Sequence, residues 1–245
     1  MKLARLGAGP EIFFSLQGEG KNLGAPSVFV RLSRCNLYCS WCDTPYTWNW
    51  SGTGFQHDAG QKYDMAAQTL ELPASDVAAR VAAWACRRVV LTGGEPLLQA
   101  PECAELTREL LARDPRYAVE IETNGTLLPP PELDAVVRQY TVSAKLENSG
   151  VERALRLRSE ALEFFARSEK SVFKFVVAGA VDVEQVSAIV SGHAIDPDRV
   201  YLMPQASDAA RLRELAPSVA EACLTSGYRF SDRLHIHLFG NRPGV

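Results

Sequence analysis

Cys35-Asn-Leu-Tyr-Cys39-Ser-Trp-Cys42-Asp-Thr44 follows directly on the apolar run Ser27 to Ser33. The run alternates with a period of two, which predicts a β-strand with the three cysteines on a tight loop at its end. Three thiolates on one loop can hold three irons of a 4Fe-4S cluster, and with no fourth cysteine nearby the fourth iron is open to a non-protein ligand. The CxxxCxxC spacing therefore indicates a reactive cluster site after the first long strand.

Other uses of three cysteines have less support. A structural zinc ion prefers four ligands in two pairs, and no second CxxC or HxxxH completes such a set. Disulfides need an oxidising compartment, for which the sequence carries no signal, and chance spacing in a structural loop is a third alternative. The remaining cysteines, Cys86, Cys103 and Cys223, lie in segments with helical periodicity, where we expect buried thiols without a chemical role.

Size and composition favour one globular domain. The chain has 245 residues, of which 47% are hydrophobic and 22% charged, values ordinary for a soluble α/β protein with its own core. The net charge of −3 argues against a nucleic-acid partner bound by bulk electrostatics. Neither a signal peptide nor a membrane-spanning stretch is recognisable, so no membrane partner and a cytoplasmic location are expected.

Strands and helices alternate six times along the chain. Strands are predicted at 27–33, 88–92, 117–122, 140–145, 171–177 and 200–203. Helical periodicity is found near 77–84 and at 104–113, 131–139, 160–167, 183–190 and 212–219. Such alternation implies parallel strands joined by right-handed crossovers. We therefore expect an α/β fold, a single-domain partial (β/α)6 barrel with room for shortened or missing helices and an extra C-terminal strand.

The order of these segments suggests three parts within the domain. Residues 1–26 would form an N-terminal strand and a glycine-rich loop, 27–208 the barrel core, and 209–245 a C-terminal helix, strand and tail. Residues 45–72 have no sustained period and are interpreted as an excursion over the mouth of the cluster site.

Polar residues gather where the predicted strands end. Catalytic groups collect at the carboxyl ends of parallel strands, although polar loops alone would explain each stretch singly. The stretches are Thr92-Gly-Gly-Glu95, Glu120 to Asn124, Ser143 to Lys145, and Gln205.

Two other features could reach the same site. Arg31 lies in the middle of an apolar strand, where a guanidinium is costly to bury without an anion, so either a protein carboxylate or a substrate carboxylate should meet it. Taken alone, a structural salt bridge is favoured for Arg31. The loop Gln17-Gly-Glu-Gly20 should be tight and near a ligand, although taken alone an ordinary turn is favoured.

Gly93-Gly-Glu-Pro96 resembles the GGEP motif of radical S-adenosylmethionine (SAM) enzymes. The cysteine loop, with Trp41 before its last cysteine, resembles the cluster-binding signature of the same enzymes. A more specific resemblance is to the 7-carboxy-7-deazaguanine synthase family, through Phe14 to Gly20, Phe29 to Ser33 and the loop as far as Tyr46. The likeness continues into the tail Leu234-His-Ile-His-Leu-Phe-Gly240 and covers essentially the whole chain. It implies that the barrel is of the radical SAM type.

The resemblance implies a role for residues throughout the site. The cluster would be held by Cys35, Cys39 and Cys42, and Mg²⁺ by Thr44. Substrate positions would be Leu16, Gln17, Gly18, Glu19, Arg31, Thr92, His237 and Val245. SAM positions would be Trp41, Cys42, Asp43, Gly94, Glu95, Glu122, Ser143, Ala144, Lys145, Gln205, Ala206, Ser207 and Asp208. His235 and His237 are expected to share a strand face, with one of them reaching the substrate, and either Val245 or Pro243 is expected to make the tail contact.

The implied activity is a radical ring contraction. The reduced cluster would cleave SAM to a 5'-deoxyadenosyl radical, which removes hydrogen from 6-carboxy-5,6,7,8-tetrahydropterin. Loss of ammonia then gives 7-carboxy-7-deazaguanine, a queuosine-pathway intermediate used in tRNA modification. Arg31 would form an ion pair with the substrate carboxylate. The family also implies a homodimer and an electron donor such as flavodoxin or ferredoxin.

Two other functions are considered. An activase that places a glycyl radical on a protein partner would also use SAM, but it does not explain Gln17, Arg31 and Thr44. An electron carrier without turnover leaves Gly93 to Pro96 and Ser143 to Lys145 without a purpose.

Overall fold

The computed structural model describes all of residues 1–245. Eleven strands belong to one sheet. They are β1 (Lys2–Leu6), β2 (Gly9–Pro10), β3 (Ile12–Leu16), β4 (Pro26–Leu32), β5 (Thr69–Glu71), β6 (Arg88–Gly93), β7 (Ala118–Thr123), β8 (Gln139–Val142), β9 (Ser171–Val177), β10 (Val200–Pro204) and β11 (Arg229–Phe230). The helices are α1 (Met65–Gln68), α2 (Ala74–Val81), α3 (Ala100–Arg113), α4 (Pro131–Asp134), α5 (Arg153–Arg156), α6 (Ser159–Arg167), α7 (Ala180–Gly192), α8 (Ala209–Ser226) and α9 (Leu234–Phe239).

Six parallel strands form the centre of the sheet, in the order β4, β6, β7, β8, β9 and β10. Each connection between them contains at least one helix, and α8 follows the last strand. The sheet does not close, because β11 ends one side and the N-terminal strands end the other. The predicted α/β partial (β/α)6 barrel is therefore confirmed.

The two faces of the barrel strands differ in polarity. Val30, Leu91 and Ile121 are fully buried and belong to a core of 41 residues beneath the helices. Their neighbours along the chain point to the other face, since side chains alternate along a strand. That inner face carries Arg31 in β4 and Thr92 in β6, which are paired in register. The interior of the barrel is thus polar near the ends of its strands.

The N-terminal segment extends the sheet with antiparallel strands. β3 pairs with β4 along its whole length, from Ile12 opposite Val30 to Leu16 opposite Pro26. β1 pairs with β5 and touches β4 through Leu3 opposite Leu32. The stretch 45–72, expected to lack regular structure, supplies both α1 and β5. Its Trp48 nevertheless lies beside the cysteine loop, as an excursion over that loop requires.

Two helical predictions need correction. The helix expected over 131–139 is only the four residues of α4, because the chain enters β8 at Gln139. The tail at 234–239 is the helix α9 and not a strand, although a short strand, β11, precedes it at the edge of β10. No helix combines the length and apolar character needed to cross a membrane.

Candidate active site

One cavity of about 430 Å³ opens at the carboxyl ends of the barrel strands. The cysteine loop forms one wall, the strand ends form the floor, and the 17–19 loop and the C-terminal segment close the other sides. Most of the predicted site residues line it: Leu16, Gln17, Gly18, Glu19, Arg31, Cys35, Cys39, Trp41, Cys42, Asp43, Thr44, Thr92, Gly94, Glu122, Ser143, Lys145, Gln205, Ala206, Ser207, Asp208 and Val245. Glu95, Ala144 and His237 are not among the lining residues.

The three thiols of the cysteine loop face this one cavity. Burial raises the pKa of all three, that of Cys39 to about 11. No three His, Cys, Asp or Glu side chains are placed to ligate one metal ion, whereas in a 4Fe-4S cluster each thiolate binds a different iron. Three buried thiols on one loop are a donor set that fits such a cluster, whose positive irons would stabilise the thiolates.

The glycines after β6 bring the chain close to the cysteine loop. Gly94 N donates to Leu32 O at 3.0 Å, and Glu95 N donates to Arg34 O at 2.8 Å. A Cβ on Gly94 would lie 1.9 Å from Arg34 O, and Gly93 has a φ of +120°. Only glycine permits this approach, so the β6 turn fixes the backbone immediately before Cys35.

The wall near Trp41 is built by the segment after β8. Trp41 Nε1 donates to Asn148 O at 2.9 Å, and Lys145 Nζ lies 5.6 Å from the centre of the Trp41 ring. Lys145 also donates to Ser143 Oγ at 2.9 Å. Ammonium, hydroxyl and indole groups beside the thiols suit a polar, aromatic ligand such as SAM.

Two predicted SAM positions, Glu95 and Ala144, lie outside the cavity lining. The Glu95 carboxylate is fully buried and accepts from Thr123 Oγ1 at 2.8 Å, Asn124 N at 2.7 Å and Leu97 N at 3.0 Å. It therefore joins the ends of β6 and β7, and its position supports the site without lining the cavity. Ala144 is also buried, within the apolar core.

Another part of the cavity lining contains Arg31. Its Nε donates to Glu11 Oε1 at 2.7 Å, and Glu11 is fully buried. Burial alone would lower the pKa of Arg31, but Glu11 and the neighbouring acidic groups together outweigh burial and raise this pKa. The structural salt bridge expected for Arg31 is thus present, and the guanidinium still lines the cavity.

A carboxylate on β7, Glu122, lies across β6 from Arg31 on the floor of the cavity. Glu122 Oε2 accepts from Thr92 Oγ1 at 2.6 Å, and Glu122 Oε1 accepts from Gln17 Nε2 at 3.1 Å. Each oxygen can accept a further hydrogen bond. Glu122 was expected at SAM, but its contacts are with two predicted substrate positions.

Glu19 is the centre of a buried charge network. Arg233 Nε donates to Glu19 Oε1 at 2.9 Å, and Lys174 donates to the other oxygen. Burial alone would raise the pKa of Glu19, yet Lys174, Arg233 and His235 hold it well below its usual range. Arg233 also donates to Asp43, so one cation joins the glycine-rich loop to the cysteine loop.

The tail histidines do not share a face. Successive residues on a helix are rotated by about 100°, so two histidines two positions apart diverge. His235 lines the cavity and packs on Gly18, where a Cβ would lie 2.0 Å from its Nδ1. His237 instead lies 3.1 Å from Asp232 Oδ1. The expected role of His237 at the substrate is therefore better suited to His235.

Sequence reasoning missed several residues of this site. Glu11 and Tyr46 hold Arg31 from behind, and Lys174 and Arg233 compensate Glu19. A charged residue at the start of an apolar strand was a signal for Glu11. Lys174, in the middle of the fully buried β9, carried the same signal.

Comparison with known proteins places this fold and site in a class. Residues 30–146 match the radical SAM superfamily. This span runs from β4 to just past β8 and includes the three cysteines and the GGEP turn.

Curated relatives give the particular family. The 7-carboxy-7-deazaguanine synthase of Pyrobaculum aerophilum is 40% identical over 236 residues, covering 96% of this chain and 95% of that protein. The enzyme of the same name from Rhodopirellula baltica is 36% identical over 244 residues, covering 96% and 87%. The crystal structure of QueE from Escherichia coli has a TM-score of 0.63 at 26% identity and covers 96% of this chain and 95% of that one. The chain belongs to the 7-carboxy-7-deazaguanine synthase family of radical SAM enzymes.

Proposed function

We propose that this protein converts 6-carboxy-5,6,7,8-tetrahydropterin to 7-carboxy-7-deazaguanine, with loss of ammonia, in 7-deazapurine biosynthesis. One observation carries the proposal: three thiols and a set of groups suited to a small carboxylated heterocycle line the same cavity. Membership of the 7-carboxy-7-deazaguanine synthase family supports the same reaction.

The residues of this chain would hold the reactants in place. When bound, the 4Fe-4S cluster and SAM supply the radical that abstracts a hydrogen atom. Cys35, Cys39 and Cys42 would hold the cluster, and Trp41 and Lys145 would contact SAM from the cavity wall. Such positioning is the main contribution of a protein to cofactor chemistry.

Arg31 and Glu122 would recognise opposite parts of the substrate. The Nη nitrogens of Arg31 have no hydrogen-bond partner in the chain and suit a carboxylate. The free acceptor capacity of Glu122 suits the N–H groups of the pterin ring. Gln17 and Thr92 fix the Glu122 carboxylate between them.

Several finer assignments complete the proposal. The Thr44 hydroxyl would be a ligand for Mg²⁺, which takes oxygen ligands and keeps several waters. An electron donor such as flavodoxin or ferredoxin would reduce the cluster in the cytoplasm, and the protein would act as a homodimer. Within one domain, residues 1–26 would carry the substrate loop, 27–208 the barrel core, and 209–245 the segment that closes the site.

Anaerobic turnover with product analysis tests the reaction. The reconstituted and reduced protein, given SAM, Mg²⁺ and the carboxylated pterin, should form 7-carboxy-7-deazaguanine, detected by mass spectrometry. Formation of 5'-deoxyadenosine without conversion of the pterin would refute the substrate assignment. Absence of any SAM cleavage would refute the radical mechanism.

A variant at Arg31 tests the carboxylate assignment. Arg31→Ala should weaken substrate binding strongly and leave the slow SAM cleavage seen without substrate nearly unchanged. Arg213→Ala, at an exposed arginine of α8, is the matched control. Equal loss of both activities in Arg31→Ala would contradict the assigned role.

A further inference from the structure

Glu11 and Tyr46 form a connected group behind Arg31, outside the cavity lining. Glu11 directly precedes β3, and its side chain is fully buried. The Tyr46 hydroxyl lies 2.9 Å from Glu11 Oε2 and 3.2 Å from Glu11 Oε1. The backbone is fixed at the same place, because Arg31 N donates to Glu11 O at 3.1 Å and Glu11 N donates to Ala4 O at 2.7 Å.

This arrangement restricts the orientation of the Arg31 guanidinium. Glu11 engages the Nε, and no other side chain or carbonyl of the protein accepts from the two Nη nitrogens. The Arg31 side chain is 17% exposed, which leaves those nitrogens to the cavity. A planar guanidinium held at Nε presents its remaining donors in a fixed direction, as bidentate recognition of a carboxylate requires.

The same group links Arg31 to the cysteine loop. Tyr46 lies in the 3-10 turn Pro45–Thr47, which begins directly after Thr44. The Tyr46 ring is held edge-on against Tyr63, with ring centres 6.2 Å apart. A single hydroxyl therefore connects the turn after Thr44 to Glu11, and through Glu11 to Arg31.

We infer that Glu11 and Tyr46 are positioning residues for the substrate carboxylate, which they serve by fixing the Arg31 guanidinium and tying it to the turn after Thr44. Neither residue touches the substrate. Their contribution is confined to the carboxylate, because the groups suited to the ring, Gln17, Thr92 and Glu122, form a separate hydrogen-bonded set. The inference rests on the proposed function, in which Arg31 binds that carboxylate.

Equilibrium binding to two ligands tests this role. The holoenzyme, with SAM and an oxidised cluster so that no turnover occurs, is titrated anaerobically with 6-carboxy-5,6,7,8-tetrahydropterin and with 5,6,7,8-tetrahydropterin, which lacks the carboxyl group. The ratio of the two affinities isolates the carboxylate. Tyr46→Phe, which removes only the hydroxyl, should lower this ratio about five-fold, and Glu11→Gln about ten-fold. Tyr63→Phe, in the same aromatic pair but without a contact to Glu11, should leave it unchanged.

A double-mutant cycle separates positioning from a general structural effect. In an Arg31→Ala background Tyr46→Phe should not lower the ratio further, because no guanidinium remains to be oriented. Equal weakening of both ligands by Tyr46→Phe, or an undiminished effect without Arg31, would overturn the inference. A wild-type affinity ratio near one would refute the Arg31 assignment itself and the inference with it. A high wild-type ratio that Tyr46→Phe and Glu11→Gln both retain would refute the inference alone.

Discussion

Two carboxylates of β7, Glu120 and Glu122, face the barrel interior two residues apart and have different surroundings. Glu120 belongs to a lower layer with Asn22, Arg88 and Gln139. Asn22 Nδ2 lies 2.9 Å from both Glu120 oxygens, and Arg88 donates to Oε1. Glu122 belongs to an upper layer with Gln17 and Thr92, which give it two neutral donors, and it forms no ion pair.

This difference separates a carboxylate that is fully used within the protein from one that is available to a ligand. The lower carboxylate is 3% exposed, is charge-paired and does not line the cavity. The upper one lines the cavity and has acceptor capacity to spare. A buried acidic residue near the site is therefore a candidate ligand-binding group when its own partners leave it incompletely bonded.

Arg88→Ala should produce the largest effect, on stability. The substitution leaves the Glu120 carboxylate buried without its cation, which typically costs about 3 kcal/mol or more. Denaturant unfolding should show this loss, while KM of the folded fraction stays near the wild-type value. Arg108→Ala, at an exposed arginine of α3, is the control. A stable Arg88→Ala protein would mean that the lower layer is not held by its ion pair.

Glu122→Gln should show the opposite pattern. The amide replaces one acceptor oxygen of the carboxylate with an NH2 group, which cannot accept a hydrogen bond from a donor. We therefore expect kcat/KM to fall roughly 10- to 100-fold, which corresponds to the loss of one hydrogen bond to a charged group. The unfolding midpoint should change little, since Glu122 borders the open cavity. Steady-state kinetics with Glu105→Gln as an exposed control checks this. Wild-type kcat/KM in Glu122→Gln would remove the distinction between the two layers.

Thr92→Val should have a smaller effect in the same direction. The isosteric change removes the 2.6 Å hydrogen bond to Glu122 Oε2. Loss of one such bond costs about 1 kcal/mol, or roughly five-fold in kcat/KM. In the Glu122→Gln background, Thr92→Val should lower kcat/KM by less than it does alone, because the two groups act through one contact. Full additivity would show that Thr92 acts on the ligand independently.

The smallest expected effect is on the pH dependence of stability. Burial raises the pKa of Glu120, with Arg88 and Asn22 partly offsetting it. The Glu120 carboxyl group therefore loses its proton at a lower pH in the unfolded chain than in the folded protein. As the pH rises from the unfolded pKa to the folded pKa, the contribution of Glu120 to stability falls. The free energy of unfolding of Glu120→Gln should therefore decline less over this weakly acidic range than that of the wild type. Parallel curves would contradict the raised pKa.

The barrel itself was predictable because its signals are local. Alternation in 27–33 predicted β4, and the polar strand ends predicted the floor of the cavity. The partner of Arg31 was not predictable in this way. Glu11 reaches it only through the antiparallel register of β3 and β4, in which Ile12 lies opposite Val30.

The prediction of a strand at 234–239 was wrong for a different reason. Leu234-His-Ile-His-Leu238 alternates as a strand does, but over five residues such alternation does not exclude a helix. The edge of β10 is already occupied by β11 when the chain reaches this segment. Leu234 N instead donates to Gly18 O at 2.9 Å, and the segment turns into α9 over the glycine-rich loop.

The Glu19 network has a consequence for the order of events during synthesis. Its cations come from residues that follow Glu19 by 155 positions for Lys174 and by 214 for Arg233. Because a domain generally folds as a unit, this network can form only after all of its segments have emerged from the ribosome. Glu19 and Asp43 remain without Arg233 until that residue has left the exit tunnel. The wall that joins the glycine-rich loop to the cysteine loop is therefore complete only when the C-terminal segment has been synthesised.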